Sequence, residues 1–114
     1  MGAPPVTIQR GSVVLVRFPF SDLSASKRRP AVVLAEAGRG GYVLTQVTSK
    51  PYADPDAVEL TEASFGRGGL NLTSYARPGK LFTANDALIA AEVGALADAA
   101  LGDLVAAVVK LLRG

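Results

Sequence analysis

Cysteine and histidine are both absent from this chain of 114 residues, and the two absences remove much of the usual chemistry of small proteins. Without cysteine there is no disulfide framework, no thiolate zinc site and no cysteine nucleophile, and nothing asks for an oxidising compartment. Without histidine the commonest general base and the commonest metal ligand are missing, so catalysis would have to run on arginine, lysine, carboxylate or hydroxyl groups. Long hydrophobic runs are lacking too. No apolar stretch is long enough to cross a bilayer, and Met1 to Gln9 has neither the basic start nor the apolar run of a secretory signal, so the expectation is a cytoplasmic protein without a membrane partner.

With 49% apolar and 19% charged residues, the chain can build one core without covalent staples. A flexible tail over residues 1–10 and a single domain over residues 11–114 are expected. Net charge is only +2, but it is unevenly spread. Arg10, Arg17, Lys27, Arg28, Arg29, Arg39 and Lys50 face only Asp22 and Glu36 in the first part, whereas carboxylates outnumber cations beyond Lys50. Such a bias fits an anionic partner, nucleic acid first among the candidates, and equally fits ordinary solvated charge.

The pattern predicts strands followed by one helix. Ser12 to Phe18 reads as a strand of β-branched and apolar residues, and the polar stretch Pro19 to Arg28 as a loop whose Ser and Asp side chains favour turns. Pro30 to Ala35 is a second strand, buried on both faces because Ala31 to Leu34 is continuously apolar. Gly38 to Gly41 turns the chain into a third strand, Tyr42 to Thr48, and Pro51 to Asp56 is another loop. Val58 to Leu60, Leu70 to Ala76, Lys80 to Thr83 and Leu88 to Val93 read as further strands. Gly66-Arg67-Gly68-Gly69 lacks the lysine and following helix of a phosphate-binding P-loop, so it is expected to be a turn. From Asp98 to Leu112, Leu101, Leu104, Val105, Val108, Leu111 and Leu112 recur at the spacing of one buried helical stripe. The fold class is therefore mainly β, a small antiparallel barrel closed by a C-terminal helix.

The run Lys27-Arg28-Arg29-Pro30 carries the chemistry. Proline pushes the residue before it toward extended backbone, so Arg29 is expected at a strand mouth with its guanidinium free to clamp a phosphate.

Gly11 to Val16, Lys27 to Leu34, Gln46-Val47-Thr48-Ser49-Lys50 and Ser74 to Thr83 together resemble the successive landmarks of the MazF/PemK family of toxin ribonucleases. The resemblance implies an SH3-like barrel of the CcdB/PemK-like kind, a homodimer, and a type II toxin that cleaves single-stranded RNA at short sequences with no metal or cofactor. It also implies a cognate antitoxin as partner. By this resemblance Arg29 and Thr48 are the catalytic candidates, and Lys27, Arg28, Ser49, Lys50, Arg77 and Lys80 are candidates for RNA contact. Attack of a ribose 2′-hydroxyl on the neighbouring phosphorus needs no outside nucleophile but adds charge to the phosphoryl oxygens, which the planar fork of Arg29 can hold.

Several family members carry an arginine before a later threonine and an acid two residues after it, whereas this chain has Phe82, Thr83 and Asn85. Phe82 is expected in the core, although stacking on a base is also open to it. Two alternatives stand beside the nuclease: a non-enzymatic toxin binding DNA gyrase, as CcdB does on a similar barrel, and a catalytically inactive RNA-binding module.

Overall fold

The computed structural model describes residues 8–18, 27–50 and 53–114. The expected tail and the expected loop Pro19 to Arg28 lie largely outside these residues, as do Pro51 and Tyr52 of the later loop, and Lys27 and Arg28, expected in that loop, open a strand instead. Among the described residues seven strands form one antiparallel sheet: β1 (Ser12–Phe18), β2 (Lys27–Gly38), β3 (Gly41–Thr48), β4 (Val58–Leu60), β5 (Phe65–Gly68), β6 (Ser74–Asn85) and β7 (Ile89–Leu96). The helix α1 (Asp98–Arg113) follows. Strand order is β4-β6-β3-β2-β1-β7-β5, so the long hairpin β2–β3 lies at the centre and the two short strands blunt the edges. The sheet curls into a half-barrel, and the mainly β fold with a closing helix is borne out.

Burial on both faces of the central strands is visible in adjacent residues. Val13 and Val14 on β1, and Ala31, Val32 and Val33 on β2, are all fully buried. Period-two alternation sends Val13, Val32 and Val47 to a cluster completed by Leu101, Leu104 and Val108 of the helix. Val14, Val16, Ala31, Val33 and Leu44 form a second cluster, against which Phe82 packs partly buried, as the core reading expects.

The helical stripe is shorter than its periodicity suggests. Leu101, Leu104 and Val108 are buried and Val105 is half-buried, but Leu111 and Leu112 are exposed where the stripe runs on toward the end of the helix. Asp98 in the first turn and Lys110 and Arg113 in the last complement the helix dipole.

Two other expectations change. The glycine run is not a turn: Phe65 to Gly68 pairs with β7, placing Arg67 opposite Ala95 and Gly68 opposite Gly94. Backbones approach so closely here that a Cβ on Gly94 would lie 2.6 Å from the Arg67 carbonyl oxygen, which is why glycine is needed. Strand β6 also runs unbroken where two strands were expected. Between the pairs Thr45↔Leu81 and Val47↔Ala76, β3 advances two residues while β6 advances five, so Pro78 and Gly79 sit in a bulge. The Thr45 hydroxyl donates to the Arg77 carbonyl at 2.5 Å and ties that bulge to the sheet.

A polar clasp joins β1, β7 and β5. The buried Ser12 hydroxyl donates to Glu92 Oε2 at 2.6 Å, and Arg67 reaches Glu92 Oε1 at 2.8 Å. Burial pushes the Glu92 carboxyl up, but the Arg67 and Ser12 hydrogen bonds and the Arg67 charge outweigh it, leaving its pKa below the ordinary value.

Candidate functional site

Arg29 lies two residues inside β2 rather than at its mouth, because the strand begins at Lys27. From Lys27 to Pro30, β2 is paired with β1: Pro30 lies opposite Leu15, Arg29 opposite Val16 and Arg28 opposite Arg17. The ladder to β3 begins one residue later, at Ala31↔Gln46, so the missing N–H of Pro30 falls where β2 is paired on one side. Proline thus fits the sheet and still fixes the extended course of the arginine before it.

The same register, followed two residues beyond Ala31↔Gln46, leads to Arg29 on β2 and Thr48 at the end of β3. Their side chains line one open groove of about 350 Å³. Arg28, Ser49 and Lys50 line it with them, so five of the eight site candidates converge. Among the described residues that line the groove none is acidic, whereas Arg28, Arg29 and Lys50 bring three cations.

Thr48 is oriented by its own strand end. Its Oγ1 accepts the Lys50 backbone N–H at 3.1 Å, a short side-chain turn that leaves the hydroxyl hydrogen to donate into the groove. Thr48 is half-buried while Arg28, Arg29, Ser49 and Lys50 are exposed, so an incoming anion meets the cations before the hydroxyl.

Three candidates stand apart. The Lys27 side chain lies outside the described residues, although its backbone opens β2 opposite Phe18. Arg77 does not line the groove: its Nε donates to Asp54 Oδ2 at 3.0 Å across a partly buried ion pair. That hydrogen bond is the main reason the Asp54 carboxyl sits below its ordinary pKa. Lys80 borders a separate shallow hollow with Gln46, Leu81 and Phe82. Asn85 has a local role, its side chain accepting the Ala87 N–H at 3.0 Å to cap the short turn before β7.

Arg17 lies outside the motifs noted in the sequence and is not among the residues that line the groove. It is exposed and directly opposite Arg28, and two like charges facing each other across a ladder cost stability unless an anion lies between them. Only the register reveals the pair. In the sequence the two arginines are separated by the Phe18 to Lys27 stretch and share no motif.

A curled antiparallel sheet with one packed helix is the fold of solved toxin structures. MazF in a MazE-MazF structure from Deinococcus radiodurans superposes with a TM-score of 0.77 at 19% identity, over 96% of this chain and 98% of that one. A mycobacterial endoribonuclease in complex with its cognate antitoxin gives 0.67 at 18% identity, over 99% and 96% of the two chains. The Mycobacterium tuberculosis toxin MazF-mt6 gives 0.70 at 15% identity, over 90% and 96%. Residues 9–112 match the family model of the PemK-like, MazF-like toxins of type II toxin-antitoxin systems, and the chain belongs to that family. No curated protein sequence matches the chain.

Proposed function

We propose that this toxin is an endoribonuclease that cleaves single-stranded RNA by intramolecular attack of a ribose 2′-hydroxyl on the adjacent phosphorus. The observation that carries the reading is the meeting of Arg28, Arg29, Lys50 and the Thr48 hydroxyl in one groove without a lining carboxylate among the described residues. Phosphoryl oxygens that gain charge in the transition state need donors and cations, and an acidic neighbour would oppose them. Arg29 is the catalytic candidate because its planar fork can hold two oxygens and stays charged at any working pH. Thr48 donates a hydrogen bond to the same phosphate, Arg28 and Lys50 hold flanking backbone, and Ser49 lies in reach of it. Cleavage breaks the bond from phosphorus to the 5′ oxygen, giving a 2′,3′-cyclic phosphate and a 5′-hydroxyl. The reaction is assigned to the groove residues alone, without a metal ion.

A cytoplasmic homodimer checked by a cognate antitoxin completes the proposal, supported by family membership and by the MazF structures bound to MazE. Among the described residues no helix is long and apolar enough to cross a membrane. Purified protein incubated with long, weakly structured RNA in excess chelator tests the activity. Cuts at one short motif are expected, with chelator making no difference. Intact RNA in the presence of a folded dimer would refute the nuclease.

A further inference from the structure

Behind the Arg29 groove lies a larger cavity of about 630 Å³, separated from it by one ridge. The ridge is the link from β5 to β6, where Leu70, Asn71 and Leu72 line both spaces. Its two sides differ in charge. Three cations line the groove, whereas the cavity wall has no cation among its described residues and a single carboxylate, Glu62. A phosphate fits the first side and is disfavoured on the second, which suits a neutral group able to form hydrogen bonds. In RNA such a group is tied to every phosphate through the ribose: the base.

The ridge is built to hold its shape. Leu70 packs against the core, the Gly69 N–H donates to the Val93 carbonyl at 3.1 Å, and the Ser74 hydroxyl donates to the Leu72 carbonyl at 2.9 Å. Asn71 and Leu72 are left exposed beside the cavity, Leu72 at 66%. An amide carries both a donor and an acceptor, so it can tell base edges apart, while an apolar side chain offers a face for a base to pack on. Because the ridge is anchored at both ends, little ordering entropy is lost on binding.

We propose that this cavity is a nucleobase-reading pocket, with Asn71 a specificity-determining residue and Leu72 the apolar surface on which the base rests. The inference depends on the endoribonuclease reading above. It places sequence choice on the β5–β6 link and catalysis on the β2–β3 hairpin.

The test digests a pool of single-stranded RNA of randomised sequence with the wild-type full chain, Asn71→Ala, Asn71→Asp and Leu72→Ala, and sequences the cut ends. For Asn71→Ala, discrimination at one position of the motif is expected to fall about tenfold, the loss falling on the preferred base while preferences at the other positions are kept. Asn71→Asp, which keeps an acceptor and loses the donor, is expected to change the favoured base at that position. Leu72→Ala is expected to raise KM more than it lowers kcat. Unchanged preferences in both Asn71 variants, or an equal loss at every position, would overturn the inference. Uncut RNA with wild-type protein would instead overturn the nuclease reading itself, and the pocket assignment with it.

Discussion

Arg29 and Thr48 enter the groove from neighbouring strands, and each is prepared differently: the arginine by the proline after it, the threonine by the Lys50 N–H that occupies its oxygen. Replacing Arg29 with alanine is expected to lower turnover about a hundredfold or more with the fold intact, read as single-turnover cleavage beside a circular-dichroism spectrum. Arg29→Lys should recover little, since a point charge cannot span two oxygens. Arg17 makes a different prediction. Arg17→Gln removes a like-charge pair, so thermal stability should hold or rise while RNA affinity falls and its salt dependence drops by about 0.7 of a slope unit. Affinity unchanged across salt would show that Arg17 touches no phosphate. That Arg29 and Thr48 meet in one groove was legible because short motifs and a family resemblance marked both. Arg17 was not, and neither was the pairing of Arg77 with Asp54, because both depend on partners that only the folded register brings together.

At the level of elements, strands with β-branched, apolar sequences were readable nearly to the residue, as β1 shows. Strand β5 was not, since four residues rich in glycine look like a turn until Gly94 is seen to demand a close neighbour. Strand β6 hid for the opposite reason: Pro78-Gly79 breaks most strands, but a bulge absorbs both residues and buries Pro78. The helix was legible in place, period and extent, but not in how much of its stripe is buried, because periodicity reports which face is apolar and says nothing about what covers it. Leu104→Ala is accordingly expected to cost about 2–5 kcal/mol in urea unfolding, the range for a fully buried leucine. Leu112→Ala, at an exposed position, should stay within about 0.5 kcal/mol. Equal costs at the two sites would contradict the burial pattern.

Across the whole molecule, charge ties stability to pH and the groove to its ligand. Glu92, clasped by Ser12 and Arg67, titrates below its ordinary 4.5, and Asp54 beside Arg77 titrates below 3.8. Both carboxyls take up protons more readily in the unfolded chain than in the folded one. Their stabilisation is therefore complete above the ordinary values and is lost as pH falls through the depressed folded ones. Urea midpoints should fall on acidification below about pH 4.5, and Glu92→Gln should flatten that fall. A midpoint equally pH-dependent in wild type and variant would remove Glu92 from the explanation. The central claim is that the groove lets RNA cut itself, with the protein supplying charge and placement. It is tested most directly with two RNA strands that carry the preferred motif, one all-ribose and one with a single 2′-deoxyribose on the 5′ side of the scissile phosphate, each incubated with wild-type protein in excess chelator. Cleavage of the all-ribose strand to a 2′,3′-cyclic phosphate and a 5′-hydroxyl, with the deoxy strand left whole, is the predicted result; equal cutting of both strands would contradict it.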